Sequence, residues 1–123
     1  MQNYSNASTK EKVAGMVSWL ADKKGRNILA LDLAKENSLS EAVIIVSATS
    51  VRHGQGLAEH MLREARKHNY EFLSMEGQTV GQWILLDFND VVVHIFQPDS
   101  RELFRLGDLW PGAGILAGTR EDA

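Results

Sequence analysis

Between Lys10 and Leu20, apolar residues return every three or four positions (Val13, Met16, Val17, Leu20), with Lys and Glu between them. That spacing lays one apolar stripe along a helix. Ser8 or Thr9 stands where an N-cap hydroxyl is needed, and Gly25 in "DKKGRN" suits the C-terminal end. The period then changes. "ILALDL", 28 to 33, and "AVIIVSA", 42 to 48, read as strands, the second a buried one, with "AKENSLSE" turning the chain between them. A second helix is predicted over 51 to 68, capped by Ser50 and striped by Val51, Leu57, Met61, Leu62 and Ala65. "YEFLSMEGQTVGQ" holds a short strand followed by a glycine-containing loop. "WILLDF" and "VVVHIF" around Asn89 and Asp90 read as a hairpin, and "PDSRELFRLGDLW" supplies a last short helix starting near Pro98 or Asp99. After Trp110 the periodicity is lost, so residues 111 to 123 are expected to form a flexible tail, as residues 1 to 9 do at the other end. The order α, β, β, α, β, β, α predicts an α+β fold, a mixed β-sheet with packed helices, spanning residues 10 to 110 as one domain.

The hairpin is the informative element. A two-residue turn at Asn89 and Asp90 sets Trp83 opposite Phe96, Ile84 opposite Ile95, Leu85 opposite His94, Leu86 opposite Val93 and Asp87 opposite Val92. Alternation then gives one face of Ile84, Leu86, Phe88, Val91, Val93 and Ile95, wholly apolar and fit for the core. The other face carries Trp83, Leu85, Asp87, Val92, His94 and Phe96. A carboxylate buried without a partner is costly, so Asp87 is either paired or on a face partly open to water. Aromatic rings with polar neighbours are what a protein-binding surface presents, because rings bury much area at little entropic cost. The alternation alone leaves a second reading open, in which Asp87 and His94 satisfy local hydrogen bonds under a covering helix. Arg101, at the start of the last helix, borders the same face. With an ordinary imidazole pKa near 6.5, His94 is expected to gain charge as the pH falls below neutral.

Composition narrows the partners. The 123 residues are 44% hydrophobic and 24% charged, as in an ordinary globular domain, and the net charge of −3 disfavours a basic surface for nucleic acid or anionic lipid. Little direct nucleic-acid binding and no membrane association are expected. There is no cysteine, which removes disulfides and thiolate metal sites. "MQNYSNASTK" lacks the apolar stretch of a signal peptide, so the expected location is cytoplasmic.

Other candidate chemistry is weaker. "RHGQGLAEH" invites comparison with a phosphate loop, but it lacks the GK[ST] ending and a third glycine at the right distance. Arg52 and His53 at that helix start could hold an anion or a partner's carboxylate, although a solvated helix start is the simpler explanation. The histidines show no HExxH or His-x-His spacing, and His60 and His68 read as surface helix residues. Asp32, Asp87 and Asp90 could converge as carboxylates for nucleotidyl transfer, yet Asp90 lies in a turn and Asp32 stands alone in "ALDL". Trp110 reads as an apolar plug over the core. No catalytic residue, metal or cofactor is expected.

Taken in order, "KG" at 24 and 25, "LD" at 31 and 32, "SVRH" at 50 to 53, "EG" at 76 and 77, Trp83 with Asp87, "VVVHIF" at 91 to 96, Arg101 and "LW" at 109 and 110 resemble the ribosomal silencing factor, or Iojap, family. Each fragment alone is unspecific; the ordered set, over residues 10 to 110, is specific. The resemblance implies a nucleotidyltransferase-like fold without the catalytic signature. It also implies binding to the large ribosomal subunit at its universal L-fourteen-type protein, which blocks small-subunit joining, represses translation and aids late large-subunit assembly. It places the partner-binding role on Trp83, Asp87, His94 and Arg101, to which the face adds Leu85 and Phe96. The chain departs from the family pattern at Ala42, Phe104 and Gly107, where Asp, Tyr and Glu are usual. Two other functions compete: a catalytic nucleotidyltransferase, against which the missing signature speaks, and a generic homodimerising module that uses the same face on a second copy when free.

Overall fold

The computed structural model describes residues 3–36 and 38–120, and the fold is α+β: a mixed six-stranded sheet with three helices. Helix α1 (Thr9–Asp22) begins where its cap dictates, with Ser8 Oγ accepting from the Glu11 backbone N–H at 3.2 Å. At the far end Lys24 takes the left-handed conformation (φ 66°), and Gly25 serves close packing instead. A Cβ at Gly25 would lie 2.8 Å from Val46 Cγ2 and 2.9 Å from Leu20 O. Strand β1 (Arg26–Asp32) follows, and β2 (Ala42–Ser47) returns antiparallel beside it. Helix α2 (Val51–Lys67) is capped by Ser50, whose Oγ accepts from His53 N–H at 3.0 Å. Gly54 lets this helix sit close on the sheet, since a Cβ there would stand 3.3 Å from both Ala48 Cβ and Gln97 Nε2.

Strands β3 (Ser74–Glu76), β4 (Trp83–Asp87) and β5 (Val91–Phe96) are followed by α3 (Pro98–Phe104), a 3-10 turn at Leu106–Leu109, and β6 (Gly114–Ala117). The sheet order is β3-β4-β5-β2-β1-β6. Its central pair, β2 and β5, is parallel, joined by a crossover that includes α2; the other neighbours are antiparallel. The hairpin has the register that alternation predicts, from Trp83 opposite Phe96 to Asp87 opposite Val92. Asn89 opens its turn at φ 76°, a conformation that Asn tolerates better than most residues.

Both long helices lie on one side of the sheet. Met16 and Leu20 of α1 and Leu57 and Met61 of α2 pack against Ile84, Leu86, Val93 and Ile95, all of them fully buried or nearly so. The Lys12 ammonium, 2.8 Å from the Asp90 carboxylate, ties the first turn of α1 to the hairpin turn.

The C-terminal segment corrects the sequence reading. Residues 114–117, expected in a tail, form an edge strand with Leu31 opposite Ile115 and Asp32 opposite Gly114, and Leu116 packs against the helix-side core. Arg120 then donates to four carbonyls, those of Gly107, Trp110, Pro111 and Ala113. Four residues are too few to display a period, and the strand that pairs them lies near the other end of the chain. Residues 1–2 and 121–123, expected within the flexible ends, lie outside the described residues. Among the described residues no helix is long and apolar enough to cross a membrane.

Candidate docking face

The sheet's other side has no long helix on it. Leu29, Leu31, Leu33, Val43, Ile45 and Phe96 form a second apolar cluster there, and Trp83, Leu106 and Trp110 pack on it from above. The short α3 and the 3-10 turn supply this cover at one end. Along β4 and the start of β5 the cover stops, and Trp83, Leu85, Asp87 and Val92 are half-buried. Strand alternation and the observed register thus bring together all six hairpin residues predicted to share that face, Trp83, Leu85, Asp87, Val92, His94 and Phe96.

Rings and hydrogen bonds hold that face in place of a long helix. Trp83 lies 4.9 Å from Phe96 and 4.9 Å from Phe104, centroid to centroid, and the His94 ring stacks beside Phe96 at 6.2 Å. Trp83 Nε1 donates to His94 Nδ1 at 2.9 Å. An indole nitrogen can only donate, so the imidazole nitrogen facing it carries no proton. Burial lowers the His94 pKa to about 4, and the ring is therefore neutral at and below neutral pH, contrary to its ordinary value. Its proton sits on Nε2.

The six predicted residues divide by accessibility. Trp83, Leu85 and Asp87 can be touched from outside, whereas His94, Phe96 and Arg101 are 7%, 0% and 6% exposed. Asp87 accepts from the Asn89 N–H at 2.8 Å, pinning the hairpin turn. Arg101 reaches under α3 and donates from Nη1 to Ser47 Oγ at 2.9 Å, beside the Ser47–Phe96 pairing at the end of β2. Phe104 belongs to the same face, half exposed over Trp83 and Phe96, with Leu103 and Leu109 exposed nearby in the chain. Sequence reasoning noted Phe104 only as a departure; its place three residues after Arg101, one helical turn on, was the available signal.

The other candidates go to separate places. His53 accepts from Thr49 N–H at Nδ1 (2.9 Å), and its Nε2 meets Lys23 O at 2.8 Å, so the ring joins the start of α2 to the end of α1 rather than facing an anion. His68 packs on Trp19 and Tyr70. Asp32 accepts from the Ala34 N–H after β1, while Asp90 pairs with Lys12 and Asp87 with its own turn. The three carboxylates serve three different local contacts. Among the described residues no group of three His, Asp or Glu could hold a metal ion.

Comparison with known proteins gives a consistent result. A family model described as "Ribosomal silencing factor during starvation" matches residues 6–122. The ribosomal silencing factor of Haemophilus influenzae is 33% identical over 87 residues, covering 71% of this chain and 85% of that protein. The mouse protein named "Mitochondrial assembly of ribosomal large subunit protein 1" is 29% identical over 99 residues, 77% of this chain but 43% of its own length. A crystal structure of a Chromobacterium violaceum protein superposes with a TM-score of 0.83 at 30% identity, covering 86% of this chain and 88% of that one.

Proposed function

The chain belongs to the ribosomal silencing factor family, and from that membership we propose that it represses translation by docking the sheet face opposite α1 and α2 on the large ribosomal subunit. The partner in this reading is the universal L-fourteen-type protein, and the bound factor stands where the small subunit must land. One observation carries the choice of face: half-buried Trp83, Leu85 and Val92 and half-exposed Phe104 form a continuous apolar and aromatic surface on the side that α1 and α2 leave uncovered. Such a surface is a natural interface core. Trp83, Leu85 and Asp87 make the contact, and His94, Phe96 and Arg101 hold them in position. The action is occlusion and involves no chemical step. The name of the mouse relative, which speaks of assembly of the ribosomal large subunit, supports a further role in large-subunit assembly.

Co-sedimentation with separated subunits tests this. The protein is expected to pellet with the large subunit, not the small, and to suppress subunit joining in light scattering while leaving preformed ribosomes untouched. Leu85→Glu places a charge at the centre of the face and is expected to weaken pelleting by about 2 kcal/mol or more with the fold intact by circular dichroism. Equal potency on joined and separated subunits would overturn occlusion. Self-association in sedimentation velocity that Leu85→Glu abolishes, without any subunit binding, would favour the homodimerising module.

A further inference from the structure

His94 is 93% covered, as its 7% exposure requires, and only one of its two nitrogens is used. Nδ1 accepts from Trp83, while Nε2, which must carry the proton, meets no acceptor among the described residues. The Nε2–H is not sealed from solvent, so it stays available to an incoming acceptor. The uncovered edge of the ring borders a recess of about 130 Å³, walled by Leu33, Val43, Val92 and Trp110. Ser38 and Ser40 stand at the same opening, where Ser38 Oγ already accepts from the Ser40 N–H. Among the described residues no charged side chain lines it.

Building on the docking reading above, we propose that this recess is the anchor pocket of the face, and that it receives an apolar side chain of the protein partner together with an adjacent uncharged carbonyl oxygen, which accepts from His94 Nε2–H. The chemistry selects this occupant. Four apolar walls fit a hydrocarbon group, and the neutral His94 donor fits a neutral acceptor. A phosphate would lose its hydration without gaining a cation, so the recess faces protein and not ribosomal RNA. The Trp83 hydrogen bond has a role in this: by occupying Nδ1 it fixes the tautomer that presents a proton to the partner. Trp83 is then both a contact and the residue that sets the polarity of its neighbour.

The test uses the full chain and purified large subunits. His94→Phe keeps a ring of similar shape and removes the donor, and is expected to weaken binding roughly five- to tenfold, equally at low and high potassium chloride. His94→Gln, which keeps both an acceptor for Trp83 and an N–H donor, is expected to recover most of that loss. Imidazole ¹⁵N spectra of the wild-type protein give a readout independent of variant folding: the neutral tautomer protonated at Nε2 is expected, with that N–H shifted and protected from exchange when unlabelled L-fourteen-type protein is added. A folded His94→Phe protein that binds as tightly as wild type, while Leu85→Glu does not, would overturn the anchor pocket and leave the docking face standing. A loss that shrinks steeply as salt rises would assign the contact to RNA phosphate and overturn it as well. Wild-type protein that fails to pellet with the large subunit would remove the docking reading itself, and the pocket with it.

Discussion

One hairpin builds two surfaces of opposite character. On the side facing α1 and α2, Ile84, Leu86, Val93 and Ile95 are each 0% exposed, and their partners are the aliphatic stripes of the two helices. On the other side, Trp83, Leu85, Asp87 and Val92 remain half-buried, and the cover for His94 and Phe96 comes from neighbouring rings and short segments. Where a long helix supplies the cover, uniform aliphatic residues suffice, because hydrophobic burial needs no direction. Where no long helix arrives, the face is held by contacts with geometry: indole to imidazole, ring on ring, guanidinium to hydroxyl. Docking as proposed above rests on this surface keeping its shape without being covered.

That contrast can be broken from either side, and the largest effect is expected on the covered one. Leu86→Ala removes a fully buried side chain from between the sheet and its helices and should destabilise the fold by about 3 kcal/mol, read from urea denaturation midpoints. A loss below about 1 kcal/mol would mean that the two faces do not differ as described.

The next effect belongs to His94. Its pKa is depressed in the folded chain from 6.5 to about 4, so the unfolded chain binds the proton more readily. The stabilising contribution is therefore fully present above pH 6.5 and is lost as the pH falls towards 4, by up to about 3 kcal/mol across that window. Carboxylates titrate in the lower part of the window too, so the informative quantity is the difference in slope between wild type and His94→Gln. Identical slopes would show that the imidazole is not neutralised by burial.

The smallest effect concerns the strap at the end of the open face. Arg120→Leu removes donors to the carbonyls of Gly107, Trp110, Pro111 and Ala113 and should cost about 1.5 kcal/mol. Trp110 fluorescence should shift red as its ring becomes wetter. Unchanged emission would mean that β6 pairing alone holds the strap.

The covered face was legible from the chain because helix and strand periods report which side of an element meets apolar surroundings. The stripe from Val13 to Leu20, the cap at Ser50 and the pairing of Trp83 with Phe96 all follow from local spacing and turn chemistry. The open face was legible only as a set of residues. Its division into accessible Trp83, Leu85 and Asp87 and covered His94, Phe96 and Arg101 depends on Phe104, Trp110 and Ser47, which come from other elements. The glycines of "RHGQG" are likewise explained only in three dimensions. Gly54 is there for the close approach of α2 to Ala48 and Gln97, a contact that spacing along one helix does not reveal.

By itself, then, the sequence determined the α+β composition, the two helix-side stripes, the hairpin register and the family, since each is written in residues near one another or in an ordered set of fragments. Tertiary structure alone decided that β2 and β5 pair in parallel at the centre, that residues 114–117 become an edge strand, and that both long helices choose the same side. It also decided the charge of His94. An imidazole's proton affinity depends on how much water reaches it and on which donor faces its nitrogens, and here both are set by atoms brought together from distant parts of the chain.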